Sequence, residues 1–176
     1  MKMNDLVSVI MSTYNSEATV SIAIESILEQ SYTNIEFLIV DDASNDNTVK
    51  VIEEYCKISK NIKLFKNKEN VGLTKNLNFL INQSTGVFIA RQDDDDYSHP
   101  DRLNVQVQTI KKNNLDFCST RALVIDTNKK IPNFSMYLPK ILVLKFKNPF
   151  IHGTLCIRKK SLLNIGCYDE KFYFAQ

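Results

Sequence analysis

Glycine is scarce in this sequence, and tryptophan is absent. Only four of the 176 residues are glycine. No GxGxxG segment follows the first apolar run, and neither GxxxxGKS nor GxxxxGKT occurs anywhere. A glycine-rich loop therefore cannot hold a diphosphate here, and a cation with a few side chains would have to offset such a charge.

The sequence also lacks a large excess of positive or negative charge, and it has no long apolar run. The net charge of +2 predicts no affinity for nucleic acid through bulk charge. No apolar stretch approaches the ~20 residues of a membrane span, and the first residues lack the apolar core of a signal peptide. We therefore expect a cytoplasmic protein with no integral membrane segment. Loose association with the inner face of a membrane is compatible with this expectation.

Metal-binding and disulfide patterns are missing too. The four cysteines have no CxxC spacing, which is typical of reduced, structural thiols. The two histidines, His99 and His152, are far apart and form no zinc pattern with the cysteines.

Short apolar runs alternate with helical periodicity through the first half of the chain. We predict strands at 7–11, 35–40, 62–65 and 87–90, and helices at 16–30, around 49–56, at 73–81 and at 98–112. Ser16 is the expected N-cap of the first helix. This alternation predicts an α/β fold with a mostly parallel, Rossmann-like sheet flanked by helices.

The second half is less regular. We predict a strand near 117–125, a short helix around 141–146, a strand at 153–157 and a helical turn at 159–164. A length of 176 residues suits a single domain over 1–176. The break in regularity divides it into a nucleotide-binding half, about 1–126, and a substrate-facing half, about 127–176.

Four successive carboxylates, Asp93–Asp96, follow the fourth predicted strand. Ser98 and Asp101 have the spacing of a capping box for the next helix. Adjacent like charges repel unless a cation offsets them, and Mg²⁺ and Mn²⁺ bridge carboxylates to phosphates. The run is therefore interpreted as a metal–diphosphate site, with a solvated acidic loop as the alternative. A calcium loop is excluded, because its glycine and glutamate positions hold Ser98 and Asn104.

Four other residues have two interpretations each. Tyr14 either stacks on a nucleobase or is a partly buried loop tyrosine. Asp42 either accepts a hydrogen bond from a base imide or stabilises a turn. Lys75 either approaches a phosphate or is a solvated helix lysine. His152 either faces a substrate or is a satisfied interior histidine.

Taken together, these motifs resemble the inverting family 2 glycosyltransferases of the GT-A fold. The matching segments are 7–15 (VSVIMSTYN), 26–32 (SILEQSY), 36–48 (EFLIVDDASNDNT), 70–76 (NVGLTKN), 90–96 (ARQDDDD), 152–154 (HGT) and 165–170 (IGCYDE). They cover nearly the whole chain in order, which makes the resemblance specific.

The resemblance implies a role for each matched residue. Ser12 and Tyr14 would line the nucleobase pocket, and Asp42 would contact the base. Lys75 would lie near the nucleotide, at a position that relatives often fill with arginine. The DxD pair, Asp93 and Asp95, would bind a divalent cation and the diphosphate, and Asp94 would lie near the ribose.

The resemblance also implies the reaction and its partners. A hexosyl group would pass from a nucleotide-diphospho sugar, such as a UDP-sugar, to a glycan or lipid-linked glycan acceptor in surface polysaccharide synthesis. The catalytic base of relatives is an aspartate that would fall just beyond Gln176. No catalytic base is therefore assigned in this chain, and we expect donor binding with weak or absent transfer.

Two other function classes fit the sequence less well. A nucleotidyltransferase would also be α/β and metal-dependent, but it normally has a glycine-rich basic loop after its first strand. A non-catalytic binding module of the receiver type would place its acidic pair after the first strand, whereas Asp41 and Asp42 follow the second.

Overall fold

The computed structural model describes residues 5–132, 148 and 150–171. Its strands are β1 (Val7–Thr13), β2 (Ile35–Asp41), β3 (Ile62–Lys66), β4 (Phe88–Arg91), β5 (Phe117–Cys118), β6 (Ala122–Val124), β7 (Lys129–Ile131) and β8 (Cys156–Arg158). Its α-helices are α1 (Val20–Leu28), α2 (Thr48–Ile58), α3 (Leu73–Gln83), α4 (Arg102–Lys112) and α5 (Lys159–Asn164).

A central sheet of six strands has the order β3-β2-β1-β4-β8-β5. The first four strands of the chain pair in parallel, and β8 pairs antiparallel with both β4 and β5. The predicted mostly parallel α/β sheet is thus confirmed. β1 and β2 are buried along almost their whole length, as apolar runs in a sheet covered on both faces should be.

Helices cover both faces of the sheet and form two apolar clusters. One cluster joins α1, α2 and α4 to the sheet through residues such as Ile24, Ile52 and Leu103. The other joins α3 and α5 to the opposite face through Leu77 and Leu162. Burial of this apolar surface stabilises the sheet and holds the loops at its carboxyl edge in fixed positions.

Two predicted helix starts are wrong. The first helix begins at Val20 rather than Ser16, and the fourth begins at Arg102 with Asp101 as its N-cap residue, so Ser98 caps no helix. Both serines contact distant groups instead, since the Ser16 hydroxyl donates to Asp94 and the Ser98 hydroxyl donates to the side-chain oxygen of Gln92. A tertiary partner has replaced the local cap in each case.

The second half also differs from its prediction. The strand expected at 117–125 is broken into β5 and β6, and β6 pairs with β7 in a separate two-stranded sheet. The strand expected at 153–157 is β8, which begins three residues later, after a 3₁₀ turn at His152–Thr154. The helix expected at 141–146 lies outside the described residues. Over the described part of the chain, no helix has the length and apolar character that a membrane crossing needs.

Candidate functional site

The carboxyl ends of β1, β2 and β4 meet at one edge of the sheet. Thr13, the last residue of β1, pairs with Asp41, the last residue of β2, and Ile10 pairs with Arg91 at the end of β4. The loops that leave these strands carry most of the residues selected from the sequence. Parallel strands place their ligands beyond this edge, so the topology brings the candidate residues together.

Asp42 lies just after β2 and is almost fully buried. Its Oδ1 accepts hydrogen bonds from Val71 N at 2.9 Å and Asn67 Nδ2 at 2.8 Å, and its Oδ2 accepts one from Gly72 N at 2.9 Å. Burial alone would raise the pKa of this carboxyl, but the hydrogen bonds outweigh burial and lower it. A carboxylate offers about four acceptor sites, and these hydrogen bonds use most of them.

Ser12 is connected to Asp42 through Asn76, in the first turns of α3, and Asn67. The Ser12 hydroxyl accepts a hydrogen bond from Asn76 Nδ2 at 3.0 Å, and Asn76 Oδ1 accepts one from Asn67 Nδ2 at 2.8 Å. Lys75 is exposed in the first turn of α3, which follows Gly72. Gly72 has φ of 89°, a left-handed conformation that favours glycine and turns its N–H toward Asp42.

The loop after β1 is joined to the loop after β2. Asn15 N donates to Ser44 Oγ at 2.9 Å, and Asn45 N donates to Asn15 Oδ1 at 2.8 Å. Ser16 N donates to Thr48 Oγ1 at 2.8 Å. These reciprocal bonds fix both loops before any ligand arrives, so the edge is preorganised.

The loop after β1 is also joined to the acidic turn. Asp94 accepts hydrogen bonds from the Ser16 hydroxyl and, at 3.4 Å, from Tyr14 N. The side chain of Tyr14 is 45% exposed, which leaves its ring accessible. Asp94 therefore connects the segment that carries Tyr14 to the segment that carries the other carboxylates.

Asp93 is held by a buried arginine. Arg91 is only 5% exposed, and its Nε donates to Asp93 Oδ1 at 2.8 Å. On the other side, a Cβ added to Gly153 would lie 2.5 Å from Asp93 Oδ2 and 3.0 Å from Asp96 Oδ2. Only a glycine lets both carboxylates come this close to the backbone.

Asp95 and Asp96 have exposed side chains. Desolvation raises the pKa of Asp96, and the charges of Asp93 and Asp95 raise it further. The turn thus concentrates negative charge that the protein itself leaves only partly offset.

Two buried polar side chains, Gln92 and Arg102, hold the acidic turn in place through hydrogen bonds. Gln92 Nε2 donates to the backbone oxygens of Asp93 at 3.0 Å and Asp96 at 2.7 Å. Arg102 Nη1 donates to the backbone oxygen of Arg91 at 2.9 Å, and Arg102 Nη2 to Gln92 Oε1 at 3.2 Å. Burial lowers the pKa of Arg102 to about 10, so it stays charged at neutral pH.

The donor chemistry of this turn fits a hard divalent cation that is shared with a ligand. Among the described residues, no three His, Cys, Asp or Glu groups form a closed metal site. Mg²⁺ and Mn²⁺ sites often take only one or two carboxylates and complete their coordination with phosphate oxygens and water. Asp93 and Asp95 offer carboxylates of that kind.

Sequence reasoning missed several residues at the site. Arg91, Gly153 and Tyr168 received no individual role, although Arg91 lies two residues before the acidic run and Gly153 follows His152, and Ser16 was assigned only to a helix cap. Burial raises the pKa of the Tyr168 hydroxyl, with nearby Arg91 acting in the opposite direction. A charged residue at the buried end of a strand was the available signal for Arg91.

Comparison with known proteins gives consistent results. The sequence model of the family described as "Glycosyl transferase family 2" matches residues 8–166. The chain is 39% identical over 165 residues to the putative glycosyltransferase EpsE of Bacillus subtilis, covering 92% of the chain and 59% of EpsE. It is 32% identical over 199 residues to the Escherichia coli UDP-Glc:alpha-D-GlcNAc-diphosphoundecaprenol beta-1,3-glucosyltransferase WfgD, covering 97% of the chain and 78% of WfgD.

A solved structure gives the same fold. The mannosyltransferase PcManGT of Pyrobaculum calidifontis, determined with GDP-Man and Mn²⁺, superposes with a TM-score of 0.78 at 21% identity. The match covers 96% of the chain and 48% of PcManGT. The chain thus has the GT-A fold that its motifs led us to expect, and it belongs to glycosyl transferase family 2.

Proposed function

We propose that this chain binds a nucleotide-diphospho sugar, specifically a UDP-sugar, for metal-dependent transfer of the sugar to an acceptor hydroxyl. The observation that carries the proposal is the link through Asp94, because it sets the acidic turn directly beside the loop that carries Tyr14. A nucleoside subsite and a diphosphate subsite then adjoin, as a nucleotide sugar requires.

The nucleoside end would lie over the loops after β1 and β2. We assign the exposed ring of Tyr14 to stacking on the base, with Ser12 lining the pocket. We assign the Asp42 carboxylate to accept a hydrogen bond from one N–H of the base, and its lowered pKa keeps it ionised at neutral pH. Lys75 would approach the phosphates from the start of α3.

The diphosphate end would lie over the acidic turn. We assign Asp93 and Asp95 to a divalent cation, Mn²⁺ or Mg²⁺, and Asp94 to the ribose side. A bound cation would supply Lewis-acid stabilisation of the charge that grows on the leaving diphosphate. Arg91 would hold Asp93 in position, and Gln92 would hold the backbone of the turn.

The acceptor and the cellular location are inferred from relatives. The printed name of WfgD gives UDP-Glc as its donor and a diphosphoundecaprenol-linked sugar as its acceptor. We propose a glycan or lipid-linked glycan acceptor here too, in surface polysaccharide synthesis at the cytoplasmic face of a membrane. The half of the chain from about 127 to 176 would contribute to the acceptor side.

The direct test is titration calorimetry of the purified protein with UDP, with and without MnCl₂. We expect UDP binding that depends on Mn²⁺ and that Asp95→Asn removes while the circular dichroism spectrum stays unchanged. Asp126→Asn, at another exposed aspartate, is the matched control and should bind like the wild type. Binding of nucleoside triphosphates alone would indicate a nucleotidyltransferase, and no nucleotide binding would indicate a non-catalytic module.

A further inference from the structure

Arg91 has one buried donor, Nη1, without a partner in the described part of the chain. Its Nε binds Asp93, but its Nη1 is buried and has no hydrogen-bond partner among the described residues. A buried N–H group without a partner loses its hydration and gains nothing in exchange, so native proteins rarely keep one without a reason. Arg91 is at the edge where the donor is proposed to bind, which suggests that a ligand supplies the partner.

His152 has a second donor of this kind. Asn148 Oδ1 accepts a hydrogen bond from Phe150 N at 3.0 Å, which fixes the orientation of the Asn148 amide. Its Nδ2 then faces His152 Nε2 at 2.6 Å and can only donate, so Nε2 is the acceptor. The proton of the neutral imidazole must therefore be on Nδ1. That nitrogen is buried and has no partner in the described part of the chain.

The residues that carry the two donors are both next to Asp93. Arg91 Nε donates to the Asp93 carboxylate, and Gly153, which follows His152, lies so close to it that an added Cβ would be 2.5 Å from Asp93 Oδ2. Burial lowers the pKa of His152, Arg91 lowers it further and Asp93 acts in the opposite direction, so the neutral imidazole is favoured at physiological pH. Both unpartnered donors thus belong to residues beside the acidic turn.

We propose that Arg91 and His152 form a donor-oxygen subsite, in which Arg91 Nη1–H and His152 Nδ1–H bind an oxygen of the nucleotide sugar. That oxygen is either a hydroxyl of the transferred sugar or a non-bridging oxygen of the diphosphate. The inference rests on the proposed donor site and adds two residues that recognise the donor within it. It assigns His152 to the ligand rather than to the interior.

The binding test compares His152→Phe with His99→Phe. His99 is the chain's only other histidine and its side chain is exposed, which makes it a matched control. In the presence of Mn²⁺, His152→Phe should weaken UDP-glucose binding by about tenfold, the effect of one lost hydrogen bond, and His99→Phe should not. Arg91→Gln should weaken binding at least as much, because it also releases Asp93, with Arg158→Gln on the neighbouring strand as its control.

The choice of ligand distinguishes the two sources of the oxygen. In His152→Phe, weaker binding of UDP-glucose with unchanged binding of UDP identifies a sugar hydroxyl, and equal loss for both identifies a diphosphate oxygen. Unchanged affinity for both ligands in His152→Phe and Arg91→Gln would overturn the subsite while the proposed function stands. If the wild type binds neither ligand, the proposed function fails, and the subsite fails with it.

The imidazole proton gives a readout that needs no ligand. Because the chain has only two histidines, ¹⁵N-detected two-bond spectra can assign each ring and its tautomer. We expect the His152 proton on Nδ1 in the free protein, and a change in its Nδ1 shift when UDP-glucose and Mn²⁺ are added. A proton on Nε2 would make Nδ1 an acceptor and would contradict the subsite.

Discussion

Two strands of the same sheet are followed by acidic residues, and the burial and hydrogen bonding of these carboxylates differ between the two strands. After β2, the carboxylate of Asp42 is buried and accepts three hydrogen bonds from the loop between β3 and α3. After β4, the side chains of Asp95 and Asp96 are largely exposed, and Asp96 has like charges beside it. Hydrogen bonds lower the pKa of Asp42, whereas partial desolvation of the carboxyl and neighbouring carboxylates raise the pKa of Asp96.

The difference separates a carboxylate that shapes a loop from carboxylates that we propose to bind a ligand. Asp42 fixes the loop before α3, at the proposed nucleoside end, with little acceptor capacity left over. The backbone of the turn after β4 is held by Gln92 and Arg102, but the charge of the turn is only partly compensated. A bound cation would stabilise such a turn, since a cation favours the ionised state of every carboxyl near it.

The largest effect should come from Asp42→Asn. An asparagine cannot accept all three hydrogen bonds, because its amide nitrogen would face an N–H donor of Val71 or Gly72. We expect the free energy of unfolding to fall by about 3 kcal/mol, the cost of leaving buried donors without partners. Urea denaturation measures this change.

Asp95→Asn is the comparison variant for that measurement. Its side chain is exposed, so its unfolding free energy should stay close to that of the wild type while Mn²⁺-dependent binding is lost. If Asp42→Asn and Asp95→Asn lower the unfolding free energy equally, the carboxylates after β2 and β4 do not differ in their contribution to stability.

A smaller effect is expected from Gly153→Ala. The new Cβ would lie 2.5 Å from Asp93 Oδ2, so the carboxylate must swing away. Because a side chain rather than the backbone yields, we expect the unfolding free energy to fall by only about 1 kcal/mol. Mn²⁺-dependent UDP affinity should fall by about tenfold, since Asp93 leaves the position in which Arg91 holds it.

A double-mutant cycle identifies the cause of that loss. If Gly153→Ala acts by displacing Asp93, it should have no further effect on UDP binding in an Asp93→Ala background. A full additional loss in that background would show that Gly153 acts through another group.

Sequence patterns predicted what depends on periodicity and chain order. The four parallel strands and their helices follow from short apolar runs such as Ile35–Val40, whose burial is set by the fold class. The placement of the acidic run at a strand end followed from the same pattern. The motif resemblance then supplied roles for Asp42 and Asp95 that no local pattern contains, and those roles stay predictions.

The errors and omissions involve side-chain contacts that helix-capping patterns do not describe. Ser16 matched a helix cap, yet its hydroxyl donates a hydrogen bond to Asp94, 78 residues away. Ser98 matched a capping box, yet its hydroxyl donates a hydrogen bond to Oε1 of the buried Gln92. Gly153 and Asp93 meet only because β8 pairs with β4. Local propensity cannot predict such partners, because tertiary hydrogen bonds of similar strength compete with the cap.

The smallest effect is a difference in the sign of pH dependence. The raised pKa of Asp96 means that the folded state holds this proton to a higher pH than the unfolded chain does, so stability falls as pH rises through that interval. Asp96→Asn should therefore stabilise the protein at neutral pH, and the gain should vanish below an ordinary carboxyl pKa of about 4. The lowered pKa of Asp42 has the opposite consequence, because its contribution is present at neutral pH and is lost as pH falls through its folded pKa. Urea denaturation of Asp96→Asn and Asp42→Asn, from neutral pH down to about pH 3, compares how the unfolding free energy of each depends on pH.

Added Mn²⁺ should remove the stability gain of Asp96→Asn, because a cation at the turn favours the ionised carboxyl. A gain that persists in Mn²⁺ would place the cation away from these carboxylates.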